Sequence, residues 1–383
     1  MTLKVLAGDL TATFNPDGSH LNRYLRRKIL LIKSLSDQLL LHDKILIPTP
    51  DFLTAAGLII ILGERNVITL LETDRLNFIR HKGVYGYIRG TGPDGSLLTF
   101  NDPKGQRPQD SPIEESVEAA IKVINEHCSE RKKISTLLVE RSEGLETSTI
   151  VDAIRLDAYA DFKQTMAWKE SYRFDKEDLL ALPGMKKMGV RVFSPGHFKT
   201  DDPVDTLLAL GHMNIELYLS EKFKCTSTST ASPIADCVSL KLPRLAQDHP
   251  GRPQLWSFLE VAGVPNISQL LLSDNDRITN FIELTDSPDA KQFRKWFHSN
   301  ANLSEKEILQ RYIDLLHQVP WTQRAPGKTL RLAITTAAGF LPVLGAVASV
   351  IDTFVVDKLL SEKSPKFFIE NLRNFSGQIK LSE

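Results

Sequence analysis

Lys44-Ile-Leu-Ile-Pro-Thr-Pro-Asp-Phe-Leu-Thr-Ala-Ala-Gly-Leu-Ile-Ile-Ile-Leu62 sets a strand-like run, a turn and a helix in direct succession. Lys44 to Pro48 is a short β-prone run. Thr49-Pro50-Asp51 then offers a turn and a cap ahead of Phe52 to Leu62. That second segment is apolar nearly all round, so it reads as a helix with no solvated face.

Upstream of it, a short β-prone opening is followed by Leu21 to Leu41, whose apolar residues Leu21, Tyr24, Leu25, Ile29, Leu31, Ile32 and Leu35 recur mostly at helical spacing. Downstream, Leu76 to Arg80, Val84 to Arg89 and Ser96 to Phe100 read as strands. Pro93-Asp94-Gly95 is the turn between the last two, and a small antiparallel meander is the expectation. Helical patterns return at Ile113 to Cys128, Ile150 to Phe162 and Val204 to Phe223, with a lone strand candidate at Val190 to Phe193.

Two polar, proline-broken stretches punctuate the chain, at Asn101 to Pro112 and Pro243 to Pro253. They divide it into an α+β domain over residues 1–105, a mainly helical domain over 106–245 and a helical domain over 246–383. The expected fold class is therefore mainly α (α+β): a helical multidomain body, the meander near 76–100, and a C-terminal helical bundle containing an apolar hairpin at 330–360.

Composition narrows the function classes. With 42% hydrophobic and 25% charged residues, the chain has the balance of a globular protein rather than of a disordered or wholly membrane-resident one. Lys plus Arg equals Asp plus Glu at 47 each, so no global field draws it to a phosphate backbone, and nucleic acid is an unfavoured partner. The patch Arg23-Tyr-Leu-Arg-Arg-Lys28 is then a helix surface balanced by nearby acids. Three cysteines without C-x-x-C spacing fit a reducing cytoplasm. The apolar N-terminal stretch is broken by Gly8 and Asp9 before it reaches signal-peptide length, so secretion is not indicated.

Three motif matches fail on context. Gly90-Thr-Gly-Pro-Asp-Gly95 has the glycine spacing of a dinucleotide loop, but Pro93 removes one N–H and strand-like residues follow where a helix is needed. Gly327-Lys-Thr329 lacks the first glycine of a phosphate loop, that position being Thr322. Asp157 and Asp161, at i and i+4, read as a solvated helix face.

The best polar constellation is His197 with Asp201, Asp202, Asp205, His212 and Glu216. Asp205, His212 and Glu216 fall within roughly 40° of one another on a helix advancing about 100° per residue. Imidazole and carboxylates on one stripe are ligand chemistry for a divalent metal, with His197, Asp205, His212 and Glu216 as candidate ligands. The bland alternative is a solvated face, because the apolar stripe of Val204, Leu207, Leu208, Ile215, Tyr218 and Leu219 lies roughly 100° away. No cofactor is otherwise expected.

Leu332 to Ile351 holds no charged residue over 20 positions, enough helix to span about 30 Å, the thickness of a bilayer core. Pro342 and Gly345 equally suit the bend of a buried helical hairpin. Leu332, Phe340, Leu341, Pro342, Val343, Gly345, Val350, Ile351 and Phe354 would form the contact surface toward a membrane or a second subunit. These features together suggest a cytoplasmic, non-catalytic effector or adaptor with a partner-binding body, of a kind that would suit a microbial conflict or stress response, with attachment to the inner face of a membrane where the run inserts. A soluble metal-dependent enzyme of hydrolase or nuclease type, and a regulatory scaffold, are the alternatives.

Overall fold

The computed structural model describes residues 2–11, 28–49, 51–81, 85–86, 98–99, 112–145, 151–162, 191–192, 203–230, 264, 267–272, 275–300 and 365–377. The chain divides into two compact units, Met1–Gln247 and Asp248–Glu383.

The first unit is built on a parallel sheet. In chain order its elements are β1 (Lys4–Ala7), α1 (Lys28–Leu41), β2 (Lys44–Thr49), α2 (Leu53–Leu62), α3 (Glu64–Glu72), β3 (Leu76–Arg80), β4 (Tyr85–Gly86) and β5 (Leu98–Thr99). They are followed by α4 (Ile113–Val123), α5 (Arg131–Glu140), β6 (Ser142–Gly144), α6 (Val151–Phe162), β7 (Arg191–Val192), α7 (Pro203–Lys222) and β8 (Ser227–Ser229). Five of the strands pair in the order β6-β3-β2-β1-β8, every neighbour parallel.

Helices predominate as expected, but the parallel sheet overturns the expected small antiparallel meander. Leu76 to Arg80 is not the first strand of a meander: it pairs in parallel with β2 on one side, Ile45 opposite Leu76, and with β6 on the other. The physical reason lies in the strand–helix succession around Lys44–Leu62. A parallel neighbour needs a crossover connection, and α2 with α3 supplies it between β2 and β3. Such strands are covered on both faces, which is why Val5, Leu6, Ile45, Ile47, Phe78 and Ile79 are all buried and the runs read as continuously apolar rather than alternating. The sheet also runs across the expected 105/106 boundary, since β6 belongs to it. β4 pairs antiparallel with β5 and with β7 in a separate small sheet.

Gly63 makes the corner between α2 and α3, which meet at 118°. Its φ of 85° suits a residue without Cβ, and its N–H caps α2 by donating to Ile59 O at 2.9 Å. At the start of α5, Glu64 acts as a cap from a distance. Its carboxylate accepts from Ser129 N at 2.9 Å, Glu130 N at 2.7 Å and Cys128 Sγ at 3.0 Å. Partial burial works to raise its pKa, but the hydrogen bonds from Cys128, Ser129 and Glu130 win and hold it at about 2. The same contact, added to burial, pushes the Cys128 thiol up to about 12, which leaves it unreactive at neutral pH.

The second unit contains α8 (Ile267–Leu271), α9 (Asn275–Asp286), α10 (Pro288–Ser299) and α11 (Pro365–Gly377). Ser287 caps α10 by accepting from Ala290 N, with Pro288 at the first helical position where no N–H is needed. Phe293 is fully buried, with its ring 5.1 Å from Phe368 and 5.9 Å from Phe297. Arg294 is buried beside it and donates to Thr285 O at 2.8 Å, lacing α10 to α9.

The apolar segment 330–360, with Leu332 to Phe354, lies outside the described residues, and no apolar helical hairpin occurs among the described ones. Among the described residues no single helix is long and apolar enough to cross a membrane.

Candidate functional site

Strand order locates the site. From β1 the chain builds outward through β2, β3 and β6, then returns to lay β8 on the other side of β1. In an open parallel sheet such a reversal leaves a crevice outside the carboxyl ends of the two strands that flank it, here β1 and β8. The loops on that edge carry a run of buried polar residues: Asp9 after β1, Asp51 after β2, Arg80 and His81 at the end of β3, and Ser229 at the end of β8.

The opposite, amino-terminal edge is held by explicit partners. Lys44 pairs with Asp74 at 2.6 Å, Asp43 accepts from Leu3 N at 3.0 Å, and Arg75 donates to Leu39 O and His42 O. His42 Nε2 lies 2.6 Å from Ser227 Oγ. Those groups close turns and tie β8 to β2, a structural task completed within the edge itself.

Helix α7 brings the remaining site residues. It packs against α6 and against β1, β8 and β4, so it has neighbours on more than one side. His212 and Glu216, one turn apart, are therefore buried at 9% and 5% exposure, which corrects the solvated face that helical periodicity suggested. An apolar stripe predicts burial on one side only, whereas α7 also meets the turn after β1. Ile215 and Leu219 serve the apolar contact, and Glu216 faces Gly8.

That contact is close. A Cβ on Gly8 would lie 2.9 Å from Glu216 Oε2 and 2.5 Å from its Cδ, so any larger residue there would force the carboxyl group to move. Asp9, the next residue, accepts from Ser34 Oγ at 2.5 Å, which anchors the turn to α1. Burial, reinforced by the Asp9 charge, raises the Glu216 pKa well above 4.5, which favours its protonated form. Burial, helped by His81, pushes His212 down to about 3 and keeps its imidazole neutral. Glu216 Oε2 has no hydrogen-bond partner.

Two candidate ligands from the sequence are thus buried on α7, and one of them, Glu216, lies against the turn that carries Asp9, a residue that periodicity passed over. His197 lies outside the described residues. The backbone of Asp205 is in α7, but its side chain lies outside them too. Asp157 is exposed, as a solvated helix face requires, whereas Asp161 accepts from Asn214 Nδ2 at 3.1 Å and ties α6 to α7. Among the described residues no group of three or more His, Cys, Asp or Glu side chains is arranged to hold a metal ion.

A legible signal for the missed residues did exist. Val5-Leu6-Ala7, Ile45-Leu46-Ile47 and Phe78-Ile79 are each followed within four positions by an acidic or imidazole side chain, Asp9, Asp51 and His81. Repeated apolar runs ending in polar chemistry are what parallel strands aimed at one edge look like in sequence.

The fold and the edge together define an open parallel α/β protein with a strand-order reversal and a buried polar cluster at its carboxyl edge. No family model, no curated protein and no solved structure matches the chain.

Proposed function

We propose that the chain is a non-catalytic effector or adaptor whose first unit binds a small polar ligand at the carboxyl edge of its sheet, beside β1 and β8. The observation that carries this reading is the Glu216 carboxyl group, buried against Gly8 and beside Asp9 with one oxygen unpartnered. Leaving such a group without a partner costs about 1–3 kcal/mol, which a ligand that donates to it would recover. Buried, perturbed titratable groups at a switch point are where α/β proteins place their ligands.

Nothing in the cluster has the nucleophile–base–orienter arrangement of a hydrolytic centre among the described residues, which favours binding over turnover. The partner-facing half of the reading rests on Leu332 to Ile351, which would pass the bound state on to a membrane or a second subunit. The test is a thermal-shift screen of the full chain against nucleotides, sugars, amino acids and simple cations. At least one class should stabilise the wild type and not Asp9→Asn. A screen in which no class acts, or in which Asp9→Asn responds like the wild type, would remove the ligand site.

A further inference from the structure

Helix α1 begins with residues that its own core does not use. Lys28, Ile29, Leu30 and Lys33 are exposed, whereas Leu31, Ile32 and every residue from Ser34 to Leu41 are buried. Ile29 and Leu30 keep 62% and 61% of their surface open, the highest values for large apolar side chains among the described residues. Ile29 and Lys33 stand four positions apart on one side of the helix, and Leu30 follows about 100° around from Ile29. In the sequence they belong to the stretch from Arg23 to Lys33, which holds five cationic residues and no acidic one. A single exposed apolar residue is ordinary, but an adjacent aliphatic pair among cations is the composition of a helix that lies at a membrane interface.

We infer that the start of α1 is a docking surface for an anionic lipid bilayer, with Ile29 and Leu30 entering the headgroup boundary and Lys28 and Lys33 against the lipid charges. The inference rests on the membrane half of the reading above and gives the first unit a share in it, the choice of lipid charge. Three considerations select this partner. The cations fix its sign as negative. Two aliphatic side chains fall far short of the roughly 800 Å² that each partner contributes to a stable protein interface, whereas a bilayer accepts a few inserted side chains without any shape to match. A nucleic acid would engage the lysines through its phosphates and leave Ile29 and Leu30 in water. So small a surface gives only reversible contact by itself, so stable attachment needs a second signal, which Leu332 to Ile351 would supply.

The test is equilibrium co-sedimentation of the full chain with vesicles of phosphatidylcholine alone and of phosphatidylcholine mixed with phosphatidylserine. Binding should be tighter on the mixed vesicles, and added salt should erode the difference. Replacing both apolar residues, Ile29→Ser with Leu30→Ser, should weaken binding to mixed vesicles at least about tenfold. Lys28→Gln should weaken it about fivefold, and only where phosphatidylserine is present. Ile29→Phe should retain binding, and circular dichroism of all variants should match the wild type. Mixed-vesicle binding unchanged in the double serine variant, or equal wild-type affinity for both vesicles, overturns the surface. If binding also persists in that variant on phosphatidylcholine alone, the membrane reading stands with Leu332 to Ile351 carrying it unaided. A wild type that binds neither vesicle removes both. A smaller oligomer in the double serine variant without lipid would assign the pair to a second copy of the chain and overturn the lipid surface as well.

Discussion

Replacing Glu216 by Gln removes one proton from the folding equilibrium of the first unit, and the effect has a definite sign. The native state holds the Glu216 proton well above the ordinary value of 4.5, whereas the unfolded chain releases it near 4.5. Above pH 4.5 the native state therefore binds more protons, and stability falls as pH rises, by about 1.4 kcal/mol per pH unit until the raised native value is reached. His212 acts oppositely. Its native value is about 3 against an ordinary 6.5, so between those limits the unfolded chain binds more protons and stability rises with pH by the same slope. Above pH 4.5 the two contributions therefore oppose each other wherever their windows overlap.

The stability of the wild type minus that of Glu216→Gln should thus fall as pH rises above 4.5, until the raised native value is reached. His212→Gln should remove the rising component below pH 6.5, leaving a steeper fall with pH than the wild type shows. Because the chain has two units, the readout must be local. Urea-dependent hydrogen exchange of peptides spanning β1 to β3, at pH 5, 6, 7 and 8, reports on the sheet directly. Parallel pH profiles for the wild type and Glu216→Gln would refute the assignment of a held proton to this group.

The Glu64 cap carries a depressed value of about 2, so its stabilisation is complete above pH 4.5 and is lost as pH falls toward 2. Glu64 is partly exposed, and solvent screening reduces the expected loss in Glu64→Gln to about 1 kcal/mol at pH 7, read from denaturant midpoints at pH 7 and pH 3. Gly8→Val should destabilise the first unit by about 1–3 kcal/mol through overlap with the Glu216 carboxyl group. A Glu216→Ala background should restore much of that loss, and additive effects in this double-mutant cycle would contradict the contact. Phe293→Ala should cost the second unit about 3–5 kcal/mol by emptying the space between Phe297 and Phe368, seen as faster exchange in α10. A chain ending at Pro326 should lose any liposome flotation that the full chain shows; flotation of both would move the membrane contact elsewhere.

The local elements were legible because periodicity and capping are local properties. Lys44–Thr49 as strand, Leu53–Leu62 as a buried helix and the Pro203–Lys222 helix follow from residue order alone. His212 and Glu216 were also legible as a pair, one turn apart on a single face. Their surroundings were not, since a helix's own periodicity cannot reveal a second neighbour that covers its polar side.

Sequence by itself determined which segments are strand and helix around Lys44–Leu62, the uncharged run from Leu332 to Ile351, and the balance of 47 basic against 47 acidic residues. Tertiary structure alone decided that Leu76–Arg80 pairs in parallel, that β8 returns to the far side of β1, and that Glu216 packs against Gly8. Strand pairing joins residues more than 200 positions apart, Val5 with Ser227, and the choice among such pairings depends on which crossovers can pack rather than on any nearby residue. The candidate site is made of those long-range pairings, which is why its members stand in the sequence with nothing beside them to connect one to another.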